Sequence, residues 1–104
     1  MIIGCPKETK NHEYRVGLTP SMVKELVEEG HNIRIEKNAG IGSGFRNEAY
    51  QEAGGVIEKN ADDLYKVSQM IVKVKEPQKQ ERQKLQKDQI LFTYLHLAPD
   101  GPQT

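Results

Sequence analysis

Five short apolar runs recur along the chain, and a segment with helical spacing separates each run from the next. No other feature restricts the fold as much. Antiparallel neighbours can be joined by a two-residue turn, whereas parallel strands need a crossover of a dozen residues or more, usually a helix. The alternation therefore predicts the α/β class: three layers, with a mostly parallel sheet of about five strands and helices on both faces.

Residues 1–5 form the first run. A long polar loop follows, and Thr19 before Pro20 suits an N-cap with proline at the first helical position. Met22, Val23, Leu26 and Val27 recur at helical spacing, with Gly30 placed to end the helix. Residues 31–37, HNIRIEK, alternate as a second strand. Asn47 is placed to cap a short helix carrying Ala49, Tyr50 and Ala53, ahead of a third strand at residues 55–58. Asn60 is placed to cap a helix carrying Leu64 and Val67, ahead of a fourth strand at residues 68–75. Pro77 stops that strand; the helix after it has almost no apolar face and reads as solvated. Residues 88–96 form the fifth strand.

One domain is the natural reading for 104 residues. Near the end, Asp100 and Pro102 suit a helix start, so the sequence reads as the beginning of something longer. Fifteen basic and fifteen acidic residues balance, so no bulk field favours nucleic acid or an anionic membrane. Cys5 is the one cysteine, which excludes an internal disulfide and fits a reducing compartment. No apolar stretch reaches the ~20 residues of a membrane span. These features predict a cytoplasmic protein with no membrane partner, no nucleic-acid partner and no metal.

Residues 71–77, IVKVKEP, set two lysines into an apolar strand, with Ile71, Lys73 and Lys75 on one face. In open α/β sheets, ligands bind beyond the carboxyl ends of the strands. The first strand leads into the loop holding Glu13, Tyr14 and Arg15; the fourth ends at Lys75 and the fifth at His96. Arginine grips a carboxylate through paired hydrogen bonds, lysine adds a compact charge, and histidine moves protons near neutral pH. The trio suits a small carboxylic acid bearing a carbonyl or an amine. Each residue also has a plainer reading. Lys75 and Arg15 read as solvated surface charges, and His96 as a structural histidine. Only their shared edge favours chemistry. Lys73 reads as snorkelling along the sheet, and His12 and His31 as structural.

Gly40, Gly42 and Gly44 imitate a dinucleotide fingerprint, but G-x-G-x-x-G needs its third glycine where Phe45 stands. A tight turn is the fairer reading. Cys5 lacks a CxxC partner, so neither a metal site nor a redox pair is supported.

Four stretches, GCPKETKNHEYRVGLTP, EKNAGIGSGF, IVKVKEPQ and LFTYLHLAPD, together resemble the N-terminal part of bacterial alanine dehydrogenase. The resemblance covers essentially the whole chain, in order. It implies a segment of the substrate domain of an NAD-dependent oxidoreductase interconverting L-alanine with pyruvate and ammonium. It implies Arg15 and Lys75 as substrate-binding residues and His96 as the catalytic acid/base. NAD would be bound by a Rossmann domain absent from residues 1–104, with no cofactor-binding residue in this chain, and the full-length family is hexameric. The isolated segment would then be inactive. Two other readings stay open: a non-catalytic remnant or association module, and a fragment of the related transhydrogenase alpha subunit.

Overall fold

Strand β1 (Ile2–Cys5) runs down the middle of a five-stranded sheet whose order is β3-β2-β1-β4-β5. Its partners are β2 (Asn32–Glu36) on one side and β4 (Met70–Lys73) on the other. The edges are β3 (Val56–Glu58) and β5 (Ile90–Thr93), and every pairing is parallel. The structure, a computed structural model, describes residues 1–9, 15–75 and 77–94. The α/β reading is correct, and the sheet is parallel throughout.

The pleat sorts the core into two layers. Ile3 pairs with Ile33 and Cys5 with Ile35 on one face, where Val72 also lies. Helices α1 (Pro20–Glu28) and α2 (Asn47–Glu52) cover that face through Val23 and Tyr50, both wholly buried. Gly4 and Ile71 point to the other face, where Leu64 and Tyr65 of α3 (Ala61–Val67) complete a smaller cluster. Burying a side chain such as Leu64 or Val23 contributes roughly 1.5–3 kcal/mol, so these few positions carry much of the fold.

Local signals set the helix boundaries. The Thr19 hydroxyl accepts from the Met22 N–H at 3.3 Å, with Pro20 at the first helical position. Asn60 accepts from the Asp63 N–H at 2.8 Å to start α3. Such caps are worth about 1 kcal/mol each. Two expectations need correction. Asn47 is not the cap of α2. Arg46 holds that position without a side-chain cap bond, and Asn47 instead exchanges hydrogen bonds with Asn38, through Oδ1 from its N–H and through Nδ2 to its Oδ1. Met22 is exposed, because α1 presents only Val23, Leu26 and Val27 to the sheet.

The helix after Pro77 is a third correction. Helix α4 covers only Lys79–Arg82, and it is not a wholly solvated face, since Glu81 is buried. A capping box closes its start: the Gln78 side chain accepts from Glu81, and the Glu81 carboxylate accepts the Gln78 N–H at 2.7 Å. The glycine-rich loop is a 3-10 turn at Ile41–Ser43, closed by Gly44 at φ 87°, as a tight turn requires.

Along β5, Ile90, Leu91 and Phe92 are exposed, as is Tyr94 just beyond it. Alternate side chains point to opposite faces, so this edge is apolar on both sides.

Cys5 sits in the centre of the sheet. Burial pushes its thiol up to about 12 from 9.0, outweighing the hydrogen bond with the Leu18 backbone that works the other way. An unfolded chain loses this proton near 9.0, while the folded chain keeps it until about 12. The unfolded state therefore binds fewer protons in that window, and stability falls as pH rises through it. The urea midpoint is expected to drop between about pH 8 and about pH 10.5, less steeply in Cys5→Ala. An identical slope in both proteins would assign the effect to the tyrosines alone; burial raises Tyr50 and Tyr65 in the same direction.

Candidate functional site

Chain order and strand order disagree at one place. From β1 the chain moves outward to β2 and β3, then returns to place β4 on the opposite side of β1. The loop after β1 leads to α1 on one face of the sheet, while the segment after β4 leads to the opposite face, where Leu85 packs against Leu64, Tyr65 and Ile71. In doubly wound sheets that reversal point is where ligands bind.

Both described members of the expected trio lie beside this reversal. Arg15 belongs to the loop between β1 and α1. Its side chain is exposed and lines a cleft of about 270 Å³ with Lys7, Glu8, Asn38, Ala39, Ile41 and Gly42. The loop behind it is firmly seated. Val16 and Leu18 are buried, the Tyr50 hydroxyl donates to the Leu18 carbonyl at 2.8 Å, and the Tyr94 hydroxyl donates to the Gly17 carbonyl at 2.7 Å. Gly17 lies against β4 so closely that a Cβ there would stand 2.6 Å from the Val72 carbonyl oxygen. No side chain fits between this loop and the end of β4.

Lys75 leaves the end of β4 half-buried, two residues past Lys73. His96 lies outside the described residues, as do His12, Glu13 and Tyr14. Glu8 connects the Arg15 cleft, which lies between the loops after β1 and β2, to the end of β4. It lines the Arg15 cleft, and its carboxylate accepts from the backbone N–H groups of Val74 at 2.9 Å and Lys75 at 3.4 Å.

Lys73 overturns its expected role. It does not snorkel: its side chain is 1% exposed, and Nζ donates to Glu8 Oε1 at 3.1 Å and to Glu81 Oε2 at 3.2 Å. The strand ends under a loop and a short helix, so no solvent lies within reach of the ammonium. An apolar stem cannot shield a buried charge, and two carboxylates do so instead. Sequence reasoning missed Glu8 and Glu81. The only sign was the capping-box spacing from Gln78 to Glu81, which does not reveal a buried partner.

Glu36 stands nearby at the end of β2. Burial pushes its carboxyl above the ordinary value, against the Lys7 N–H that donates to Oε1 at 2.8 Å. His31 remains without a candidate role; its Nδ1 is buried with no hydrogen-bond partner among the described residues. Among the described residues no group of three or more His, Cys, Asp or Glu could hold a metal ion, and no helix is long and apolar enough to cross a membrane. The glycine turn offers no dinucleotide cradle, because the helix after it has only six residues and the third glycine of the fingerprint is missing.

A cleft lined by Lys7 and Arg15, beside the reversal point, carries the charge to receive a small carboxylate. The family model described as "Alanine dehydrogenase/PNT, N-terminal domain" matches residues 4–104. The chain belongs to that family. It is 50% identical to an alanine dehydrogenase of Methanococcus maripaludis over 96% of its own length, and 49% identical to that of Bacillus subtilis over the same share. It spans only 27% and 26% of those curated relatives. Among solved structures, an L-alanine dehydrogenase superposes with a TM-score of 0.87 at 53% identity, over 89% of this chain and 26% of that one. A transhydrogenase from Sinorhizobium meliloti gives the same TM-score at 29% identity, over 97% of this chain and 28% of that one. As an alanine dehydrogenase/PNT N-terminal domain, the chain shares with both the parallel α/β sheet described above.

Proposed function

We propose that residues 1–104 form the N-terminal part of the substrate domain of an alanine dehydrogenase, which interconverts L-alanine with pyruvate and ammonium using NAD. The observation that carries this reading is the meeting of the Arg15 loop and the Lys75 strand end at the sheet's reversal point, in a chain of this family. Arg15 binds the substrate carboxylate through its two-pronged guanidinium. Lys75 places a compact positive charge on a second oxygen. His96, by the resemblance of its motif, moves the protons. NAD belongs to a domain outside residues 1–104 and supplies the hydride-accepting chemistry; this chain supplies carboxylate grip and proton transfer. The enzyme is cytoplasmic and hexameric on this reading.

A transhydrogenase alpha subunit is the second reading, supported by the 0.87 superposition. Identity favours the dehydrogenase, at 53% against 29%. A non-catalytic association module would need neither Arg15 nor Lys75.

The test is a chimera in which residues 1–104 replace the matching segment of the Bacillus subtilis enzyme. It is expected to reduce NAD with L-alanine, and Arg15→Ala or Lys75→Ala should raise KM and lower kcat together. A chimera that folds and binds NAD but ignores alanine would sink the reading. The 104-residue chain alone should form no NADH, since on this reading the domain that positions the nicotinamide lies outside residues 1–104.

A further inference from the structure

The parallel ladder between β1 and β4 pairs Ile3 with Met70 and Gly4 with Ile71. Pro6 then follows in β1's wake, and a proline offers no N–H. Past this point the paired register of the two strands ends, and the backbone at the end of β4 needs another partner. Glu8 provides it: Oε2 accepts the Val74 N–H at 2.9 Å, while Oε1 accepts the Lys75 N–H at 3.4 Å and the Lys73 ammonium at 3.1 Å. The carboxylate continues the ladder where the main chain of β1 no longer can.

Glu8 is itself held. Lys73 clamps it from below and reaches Glu81 at 3.2 Å, and the other Glu81 oxygen accepts the Gln78 N–H at 2.7 Å that begins α4. One chain of bonds thus runs from α4, through Glu81, Lys73 and Glu8, to the Lys75 backbone. Glu8, Lys73 and Glu81 are all buried. Stability alone does not explain such a cluster, because apolar residues of similar volume are often as stabilising as a buried ion pair. Its geometry is directional, aimed at the residue that leaves the strand.

We propose that Glu8 is a positioning residue for Lys75: it fixes the backbone from which the Lys75 side chain leaves β4, and registers it against the Arg15 loop, with Lys73 and Glu81 holding the carboxylate in place. The inference rests on the reading of Lys75 as a substrate-binding residue. Glu8 need not touch substrate. Its loss lets the end of β4 shift, and a displacement of about 1 Å at a positioning group can cost on the order of 100-fold in rate.

Glu8→Gln retains the shape but puts an amide N–H₂ where an acceptor is needed, against either the Lys73 ammonium or a backbone N–H. In the chimera, Glu8→Gln is expected to raise KM for pyruvate about tenfold or more, as lost ground-state binding does. KM for NADH should not change, and a purely structural defect would not divide the two constants in this way. Adding Glu8→Gln to Lys75→Ala should raise pyruvate KM no further, because the residue being positioned is already gone. An unchanged pyruvate KM in Glu8→Gln, or a full additive increase in the double variant, overturns the proposal. If Lys75→Ala alone leaves the kinetics intact, the substrate-site reading fails and this inference falls with it. Should Glu8→Gln not fold, Glu81→Gln loosens the clamp from one residue further away. It is expected to raise pyruvate KM about threefold in the same direction, and an unchanged KM overturns the proposal.

Discussion

Replacing His96 with alanine in the chimera is expected to lower kcat by roughly 100-fold or more, the scale of a positioned proton-transfer group. Converting pyruvate and ammonium to an amino acid passes protons to and from the carbonyl oxygen and the nitrogen. Histidine is the side chain whose ordinary pKa lets it do both near neutral pH. KM for pyruvate should change less, because the carboxylate grip belongs to Arg15 and Lys75 on the proposed reading. This separates His96→Ala from Lys75→Ala, in which binding and rate should fall together. Steady-state kinetics of the two variants side by side makes the measurement. Near-normal turnover in His96→Ala would return that residue to a structural role.

Lys73→Ala is expected to produce the largest loss of stability in the chain. The substitution leaves Glu8 and Glu81 buried without the ammonium that bridges them at 3.1 and 3.2 Å. Removing one member of a buried ion cluster typically costs about 3–5 kcal/mol, since the remaining charges stay desolvated. Domains of this size are stable by only about 5–15 kcal/mol, so the variant should lie near the edge of folding. Its urea midpoint, followed by circular dichroism, should fall by about 1 M or more. A triple variant, Glu8→Gln, Lys73→Met and Glu81→Gln, removes all three charges and should recover much of that loss. Equal midpoints for Lys73→Ala and the parent would show that the ammonium is not shielded from water as its 1% exposure indicates.

Legibility in the sequence differs from residue to residue. Lys75 and the loop carrying Arg15 could be placed at one sheet edge because each follows a strand, and chain direction alone then fixes the end at which it emerges. Glu8 and Glu81 could not be found that way. Glu8 contacts Val74 across 66 positions of sequence, and Glu81 lies on a four-residue helix whose pattern is polar throughout. Nothing local marks a glutamate as buried when its partner is distant. Asn47 failed for a related reason: an asparagine beside a helix start suits a cap, yet its side chain is taken up by Asn38 nine residues earlier.

The sequence by itself determined the elements and their order. Alternation of two periods, with Thr19 and Asn60 at helix starts and Pro77 beyond β4, is a local property, governed by steric preferences and hydrogen bonds within a few residues. Parallel pairing followed, because helices between the strands leave no room for hairpins. Only the tertiary structure decided that β4 returns to the far side of β1, giving the order β3-β2-β1-β4-β5 and hence a reversal of strand order at that junction. It alone decided the state of Lys73, whose neighbours come from a loop 65 residues earlier and a helix 8 residues later. The physical reason is that burial depends on all the segments packing around a side chain. A charge is retained inside only where distant segments deliver opposite charges to it, and no local pattern records that delivery.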